Sequence, residues 1–493
     1  MTSRERARER MASVDTAWLR MDRPSNLMQI IGVMIFEGRL DVERLKRTVI
    51  KRLLRYPRFH QIAEQNADGA WWVDDDNFDI DAHIRHSLLP SPCGKRELEK
   101  FVAEMASEPL NPSRPRWEYH LVDTAEGNSA LVVRIHHAIA DGIALVGVMN
   151  SLTDEHADVP EDGGQETPAR SDPDVGETMD KDDADLWSIL AEPISDLALA
   201  SIRIGGNLWG QYQGLRNDPG TLRDYASVAG AMLNEVGKLA LMANDSETRL
   251  KGKPGTVKRV AWSEPIPLER VKAVGRVLGC SVNDMLLCAV AGALRGYLWD
   301  KGEVTTNTEI RAMIPVNLRT SDSEESLGNH FGLVALELPI GIENPLERLY
   351  ATRTRMAALK GSYQAAVTYG ILGLVGMAPK FLQQQVLDLL ASKATAVMTN
   401  VPGPQQARYM AGVKLRQQMF WVPQSGSIGI GVSILSYNGQ VQFGLIVDKN
   451  MVDDPERIVE RFALEFEQLL WLVLIEPWER LADPVAVEKA LLE

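Results

Sequence analysis

The sequence predicts an α/β protein with mixed sheets, organised as two halves. Three observations carry this expectation. Strand-type and helix-period runs are interspersed in both halves of the 493-residue chain. The clearest hairpin signal, Ile428–Asp448, sets two alternating runs around Asn438-Gly439, a dipeptide suited to a type I′ turn. Between the halves, Asp154–Asp185 carries 13 acidic residues against two basic ones and almost no large apolar side chains. That stretch has too little apolar surface to offset its ordering entropy, so residues 151–185 are expected to form an exposed, disordered acidic linker.

The elements follow in order. In the N-terminal half, residues 1–150, Met28–Phe36 is β-branched and apolar and reads as a buried strand ending at Glu37-Gly38. Asp41–Tyr56 sets Val42, Leu45, Val49, Leu53 and Leu54 at helical spacing behind Asp41, a residue type suited to an N-cap. Glu97–Ala106 reads as a helix, and Tyr119–Asp123 and Leu131–Ile135 as strands divided by the turn residues Glu126-Gly127-Asn128. Residues 186–254 are expected to be a helical connection, broken at Gly205-Gly206 and Asp218-Pro219-Gly220. The C-terminal half, 255–493, carries strands at Thr256–Trp262, Glu309–Val316, Gly332–Leu338 and Ala394–Thr399. Its helices are Ser281–Trp299, Pro345–Leu359 and Pro455–Leu474.

Composition narrows the function. Apolar residues make up 45% and charged residues 24%, as in an ordinary globular protein. A net charge of −14 disfavours nucleic acid as a partner. Cys93, Cys280 and Cys288 supply neither a disulfide framework nor a zinc ribbon, so a reducing, cytoplasmic compartment is the default. No apolar run approaches the ~20 residues of a membrane helix, and the charged Met1–Arg10 is not followed by a signal-peptide core. A soluble or peripheral protein is expected.

One constellation can carry chemistry: Arg134-Ile135-His136-His137-Ala138-Ile139-Ala140-Asp141-Gly142, between a strand and an apolar, helix-like run, Ile143–Leu152. Alternation along the strand puts His137 with Ile135 and Val133, the more apolar side and the expected interior, and His136 with Arg134 and Val132. A neutral imidazole with an ordinary pKa of ~6.5 is able to take a proton from a hydroxyl near pH 7. Asp141 suits a helix N-terminus or an anchor for a distant arginine. A satisfied structural histidine remains an alternative reading. Two diverging histidines with one carboxylate make a poor zinc site, so no metal is expected, and no Gly-x-Ser-x-Gly elbow supports a serine hydrolase.

His136-His137-x-x-x-Asp141-Gly142 resembles the HHxxxDG signature of the CoA-dependent acyltransferase superfamily. The chain further resembles one branch, the bacterial wax ester synthase/acyl-CoA:diacylglycerol acyltransferase family. The matching segments, in order, are Met11–Leu19, Pro109–Glu118, Val282-Asn283-Asp284, Pro315–Arg319, Leu327-Gly328-Asn329, Thr399–Pro404 and Ser436–Gly439. Within Pro109–Glu118, Asn111 stands where that family commonly has an aspartate.

This resemblance implies two chloramphenicol-acetyltransferase-like domains facing each other across a tunnel, with one active site per chain. It implies transfer of a long-chain acyl group from acyl-CoA, as cosubstrate and with no cofactor, to a fatty alcohol or diacylglycerol. The product is a wax ester, triacylglycerol or both. His137 inherits the role of general base, beside His136. Asp141 inherits a structural role through a buried ion pair, with Arg319 a candidate partner. Asn283 reads either as a helix cap or as a polar group near the reacting carbonyl. Asn400–Pro404 reads as a rigid turn at the domain contact. Cys280 and Cys288 are expected to pack in the core. Lipid acceptors imply contact with a membrane or lipid-droplet surface, for which Trp187, Trp209, Trp471 and Trp478 are candidates. Other alcohol or amine acceptors, and a non-catalytic lipid-binding protein, are the competing readings.

Overall fold

The computed structural model describes residues 8–66, 69–159, 242–318, 327–359, 364–377 and 380–475. Through the N-terminal half run β1 (Arg8–Arg10), α1 (Ser13–Met21), β2 (Gln29–Glu37), α2 (Val42–Arg52), β3 (Gln61–Asn66) and β4 (Gly69–Asp74). They are followed by β5 (Ile84–Ser87), α3 (Lys95–Ser107), β6 (Trp117–Asp123), β7 (Ser129–His136) and α4 (Gly142–Ser151). The C-terminal half begins with β8 (Lys258–Trp262), β9 (Ile266–Pro267), α5 (Leu268–Leu278), α6 (Val282–Asp300), β10 (Ile310–Asn317) and β11 (Phe331–Leu338). It continues through α7 (Pro345–Leu359), α8 (Gln364–Met377), α9 (Lys380–Ser392), β12 (Ala396–Pro402), β13 (Tyr409–Met410) and β14 (Val413–Trp421). The last elements are β15 (Ile430–Tyr437), β16 (Gln440–Asp448) and α10 (Pro455–Ile475).

The strands form one sheet per half and a small three-stranded sheet, β1-β4-β3. The C-terminal sheet runs β11-β10-β12-β15-β16-β8, with β9 pairing to β16. It is mixed, because β12 is parallel to both β10 and β15 while the other pairs are antiparallel. The N-terminal sheet runs β13-β14-β2-β7-β6-β5, with only β5 and β6 parallel. Each sheet has its own large apolar core.

Local signals survive well. Asp41 caps α2 by accepting from the Arg44 N–H. At the tip of β15–β16 both turn residues have positive φ, +49° at Asn438 and +70° at Gly439, the backbone that a type I′ turn needs.

Two expected boundaries are corrected. Residues 255–493 are not a single unit, because β13 and β14 join the N-terminal sheet: β14 pairs with β2 from Lys414↔Glu37 to Trp421↔Ile31. No local pattern could reveal a partner so distant in sequence. The linker does not begin at 151 either. Leu152 is buried, and Asp154 forms a bridge with Tyr409 and an ion pair with Arg52 at 2.9 Å. The rest of the expected linker, and the helical connection as far as residue 241, lie outside the described residues. Residues 242–254 are irregular chain, not helix. Among the described residues no single helix is long and apolar enough to cross a membrane.

Candidate active site

The histidine pair sits at the end of β7, a strand flanked by β2 and β6 inside its sheet. Every residue of β7 is buried, so the expected contrast between an interior and a less interior face is corrected. His136 and His137 are 2% and 3% exposed. Arg134, on the His136 side, is buried as well, held by Glu118 at 3.0 Å and Gln29 at 3.3 Å. Covering both faces of the strand required a buried polar network that alternation alone does not announce.

Helix α1 serves both histidines. At its C-cap, Asp22 lies 3.6 Å from His136 Nε2 and 3.5 Å from Arg116, and accepts from the Met28 N–H. His136 Nδ1 in turn accepts from the Ala138 N–H at 3.1 Å, which fixes the loop that follows. One helical turn earlier, Trp18 stacks on the His137 ring with centroids 4.2 Å apart. Phe331 closes in at 5.6 Å.

The C-terminal half clamps the same loop through Gly328-Asn329-His330. The Gly328 carbonyl accepts from the Asp141 N–H at 3.4 Å. Asn329 Nδ2 donates to the His137 carbonyl at 2.8 Å, and the His330 N–H donates to Asp141 Oδ2 at 2.9 Å. Gly328 has φ +127°, a conformation that side-chain-bearing residues rarely adopt. Asp141 also caps α4, its Oδ1 accepting from the Ala144 N–H at 3.0 Å. It is thus a buried carboxylate joining the two halves. Arg319, its candidate ion-pair partner, lies outside the described residues.

His137 opens onto an apolar cavity between the halves. Ile30, Leu145, Val146 and Met149 line it from the N-terminal half, and Met313, Pro315, Phe331, Leu333, Val397 and Val401 from the C-terminal half. Among the described residues, its polar side chains besides His137 and Asp141 are Thr399 and Ser425. Gly142 lines it too, and a Cβ built there meets nothing within 4 Å. Gly142→Leu therefore extends a side chain into the cavity while improving the first turn of α4, where Gly is worth ~1 kcal/mol less than Ala. The expected outcome is an unchanged or higher melting temperature with turnover of long-chain substrates reduced more than that of short ones. Activity assays over a chain-length series check it.

Asn283 stands elsewhere. The expected cap is corrected: Ser281 caps α6 in a reciprocal box with Asp284. Asn283 instead accepts from the Asn400 side-chain amide. Asn400 alternates along β12 with Thr399 and Val401, which line the cavity, so the pair falls on the other face of that strand. Asn283 is not among the cavity-lining residues. Cys280 and Cys288 are buried, and burial pushes the Cys288 thiol up to about 11, unsuited to a nucleophile. Among the described residues no group of three or more His, Cys, Asp or Glu side chains is able to hold a metal.

Burial lowers the His137 pKa to about 4, against the opposing pull of Asp141, its own carbonyl and Asn329. The ring is neutral at pH 7. Burial raises Asp15, which accepts from Asn329, to about 6. The two act in opposite senses on stability. Between pH 6.5 and about 4 the unfolded chain protonates His137 and the folded one does not, so stability contributed by the neutral ring falls as pH falls. For Asp15 the folded chain holds the extra proton between pH 3.8 and about 6, so its contribution falls as pH rises. His137→Gln is expected to make stability rise less from pH 5 to pH 6.5, and Asp15→Asn to make it rise more. Urea titrations across that range test both signs.

Sequence reasoning did not assign roles to Asp15, Trp18, Asp22 or Asn329. Asp15, Trp18 and Asn329 stand inside segments singled out by resemblance, which was the available signal. Asp22 had none.

Comparison with known proteins now decides the family. The wax ester synthase/diacylglycerol acyltransferase catalytic domain matches residues 11–286, more than half of the chain, and the C-terminal domain of the same family matches residues 327–470. The chain belongs to the wax ester synthase/diacylglycerol acyltransferase family. It is an acyl-CoA-dependent O-acyltransferase. A relative in Mycobacterium tuberculosis, named "Probable diacyglycerol O-acyltransferase tgs1", is 24% identical, over 91% of this chain and 93% of the relative. The fold is similar to that of the wax ester synthase/diacylglycerol acyltransferase from Marinobacter aquaeolei VT8, with a TM-score of 0.63 and 22% identity. That match covers 94% of this chain and 98% of the other. The starter condensation domain of rhizomide synthetase, in a complex with C8-CoA and Leu-SNAC, shares the fold more distantly. Its TM-score is 0.56 at 11% identity, covering 94% of this chain and 93% of that one.

Proposed function

We propose that His137 is the general base in a direct transfer of a long-chain acyl group from acyl-CoA to a fatty alcohol or diacylglycerol. The observation that carries this reading is a neutral, buried imidazole opening onto an apolar cavity between the two halves. His137 Nδ1 is sealed from solvent, which leaves Nε2 for the substrate. Nε2 takes the hydroxyl proton as the alcohol oxygen attacks the thioester carbonyl. The tetrahedral intermediate then collapses with cleavage of the C–S bond, and the imidazolium returns its proton to the departing thiolate, giving ester and free CoA. Asp141 holds the loop and lends negative charge to the transient imidazolium. No cofactor enters this scheme.

Burying an acyl chain contributes ~0.8 kcal/mol per methylene, so the apolar lining favours long chains on both substrates. Peripheral contact with a membrane or lipid droplet belongs to the same reading. Exposed Trp471, Leu474 and Ile475 near the end of α10 support it; Trp187, Trp209 and Trp478 lie outside the described residues.

The test is thiol release from palmitoyl-CoA with hexadecanol, with dioleoylglycerol, and with neither. Release that depends on one or both acceptors is expected, and the ratio ranks wax ester against triacylglycerol synthesis. Bound palmitoyl-CoA without release in either case would instead favour another alcohol or amine acceptor, or a binding protein.

A further inference from the structure

Helix α1 and its C-cap carry Asp15, Trp18 and Asp22 three and four residues apart, a spacing that sets them on one helical face. All three serve the histidine pair: Asp15 accepts from Asn329, Trp18 stacks on His137 and Asp22 lies beside His136. The stack is close and nearly flat, with ring centroids 4.2 Å apart and planes 19° from parallel. Phe331 approaches the same imidazole more loosely, 5.6 Å away and tilted by 51°. The backbone of His137 is fixed as well, its N–H donating to the Met28 carbonyl at 2.7 Å and its carbonyl accepting from Asn329 at 2.8 Å. Trp18 is buried and lines the same cavity as His137.

In the proposed reaction the imidazole begins neutral and becomes a cation as it takes the hydroxyl proton. A ring so deeply buried has little water to stabilise that charge, and burial disfavours the cation. The face of an indole carries negative potential, so its attraction for a stacked ring grows as that ring turns positive, most of all where water is excluded. An interaction that strengthens on the way to the transition state raises kcat rather than substrate affinity. We infer that Trp18 is a positioning residue for the base, whose indole face holds the His137 ring and stabilises the positive charge it takes up during proton transfer. The titratable groups on the elements around that ring are Asp15 and Asp22 from α1, His136 and Asp141 from its own segment, and His330 from the C-terminal half. Asp141 favours the charged ring and His136 opposes it; Trp18 adds to the pull of Asp141.

This inference rests on His137 being the base. The test places tryptophans carrying one, two and three ring fluorines at position 18 of the full-length enzyme. Fluorine withdraws electron density from the ring face with little change of shape, and the Trp18 indole N–H has no hydrogen bond for it to disturb. CoA release from palmitoyl-CoA is followed with whichever of hexadecanol and dioleoylglycerol turns over faster. kcat is expected to fall with each fluorine, about 3- to 10-fold across the series, while the palmitoyl-CoA KM stays within about twofold. The acid limb of the kcat profile should move towards lower pH with each fluorine, because a less negative face holds the imidazolium less well. Looser packing that let water reach the ring would move it the other way. Trp18→Leu, which removes the face, should lose more activity than the fluorinated variants, and Trp18→Phe should recover part of that loss. A kcat and acid limb independent of the number of fluorines, or a limb moving to higher pH, would overturn the inference. Turnover retained in His137→Gln would instead remove the reading beneath it.

Discussion

Replacing His137 by alanine is expected to lower acceptor-dependent CoA release by about 10²- to 10⁴-fold, the usual contribution of a positioned general base. An alcohol with its proton still attached is a weak nucleophile, and neither His136 nor Asp141 is free to replace the base. His136 has its Nδ1 committed to the Ala138 N–H and its Nε2 directed at Asp22. Asp141 spends its oxygens on the Ala144 and His330 N–H groups. Removal of the ring also strips a stacked partner from Trp18, so His137→Gln, which keeps more of the volume, should show the same loss with a smaller effect on stability. Palmitoyl-CoA binding should change little in either variant, because the apolar walls supply most of it. A loss of less than tenfold would reject the assignment.

The largest expected effect on stability comes from Lys258→Met. Lys258 and Asp448 form an ion pair at 3.0 Å with side chains 5% and 0% exposed. The ammonium also donates to the Ser25 carbonyl at 2.8 Å, and the Lys258 N–H donates to the Ser107 hydroxyl. This residue therefore ties β8 of the C-terminal sheet to the N-terminal half. Removing the cation strands a fully buried carboxylate, which typically costs about 3–5 kcal/mol. The double variant Lys258→Met/Asp448→Leu should recover much of that, since an apolar pair of similar volume is often as stable as a buried ion pair. Equilibrium denaturation of the single and double variants decides. A single variant within about 1 kcal/mol of wild type would show that the carboxylate is relieved in some other way.

How far the sequence could be read depends on the range of the interactions involved. The hairpin at Asn438-Gly439, the cap at Asp41 and the helix Pro345–Leu359 were legible because their causes lie within a few residues. The His136–Gly142 segment stood out by its spacing, which left a general base and a structural histidine as alternative readings, and the family was legible from the ordered motifs. What was not legible is long-range. Nothing in Val413–Trp421 signals that this strand completes the sheet that begins with Gln29–Glu37. Nothing near Asn329 signals that it reaches Asp15 and His137. The cap at Ser281 competed with Asn283 two residues on, and only the Ser281–Asp284 pairing separates them. The alternation that set His137 inside and His136 less so assumed one covered face, whereas Arg134 and Glu118 make the other face buried as well.

The most direct test of direct, base-assisted transfer is rapid mixing of the enzyme with palmitoyl-CoA in the absence of acceptor, with CoA release followed on the timescale of one turnover. The account predicts no release stoichiometric with enzyme until hexadecanol or dioleoylglycerol is added, and near-complete loss of that second phase in His137→Ala. A burst of one CoA per enzyme without acceptor, persisting in His137→Ala, would mean that the acyl group first passes to the protein, and would contradict it.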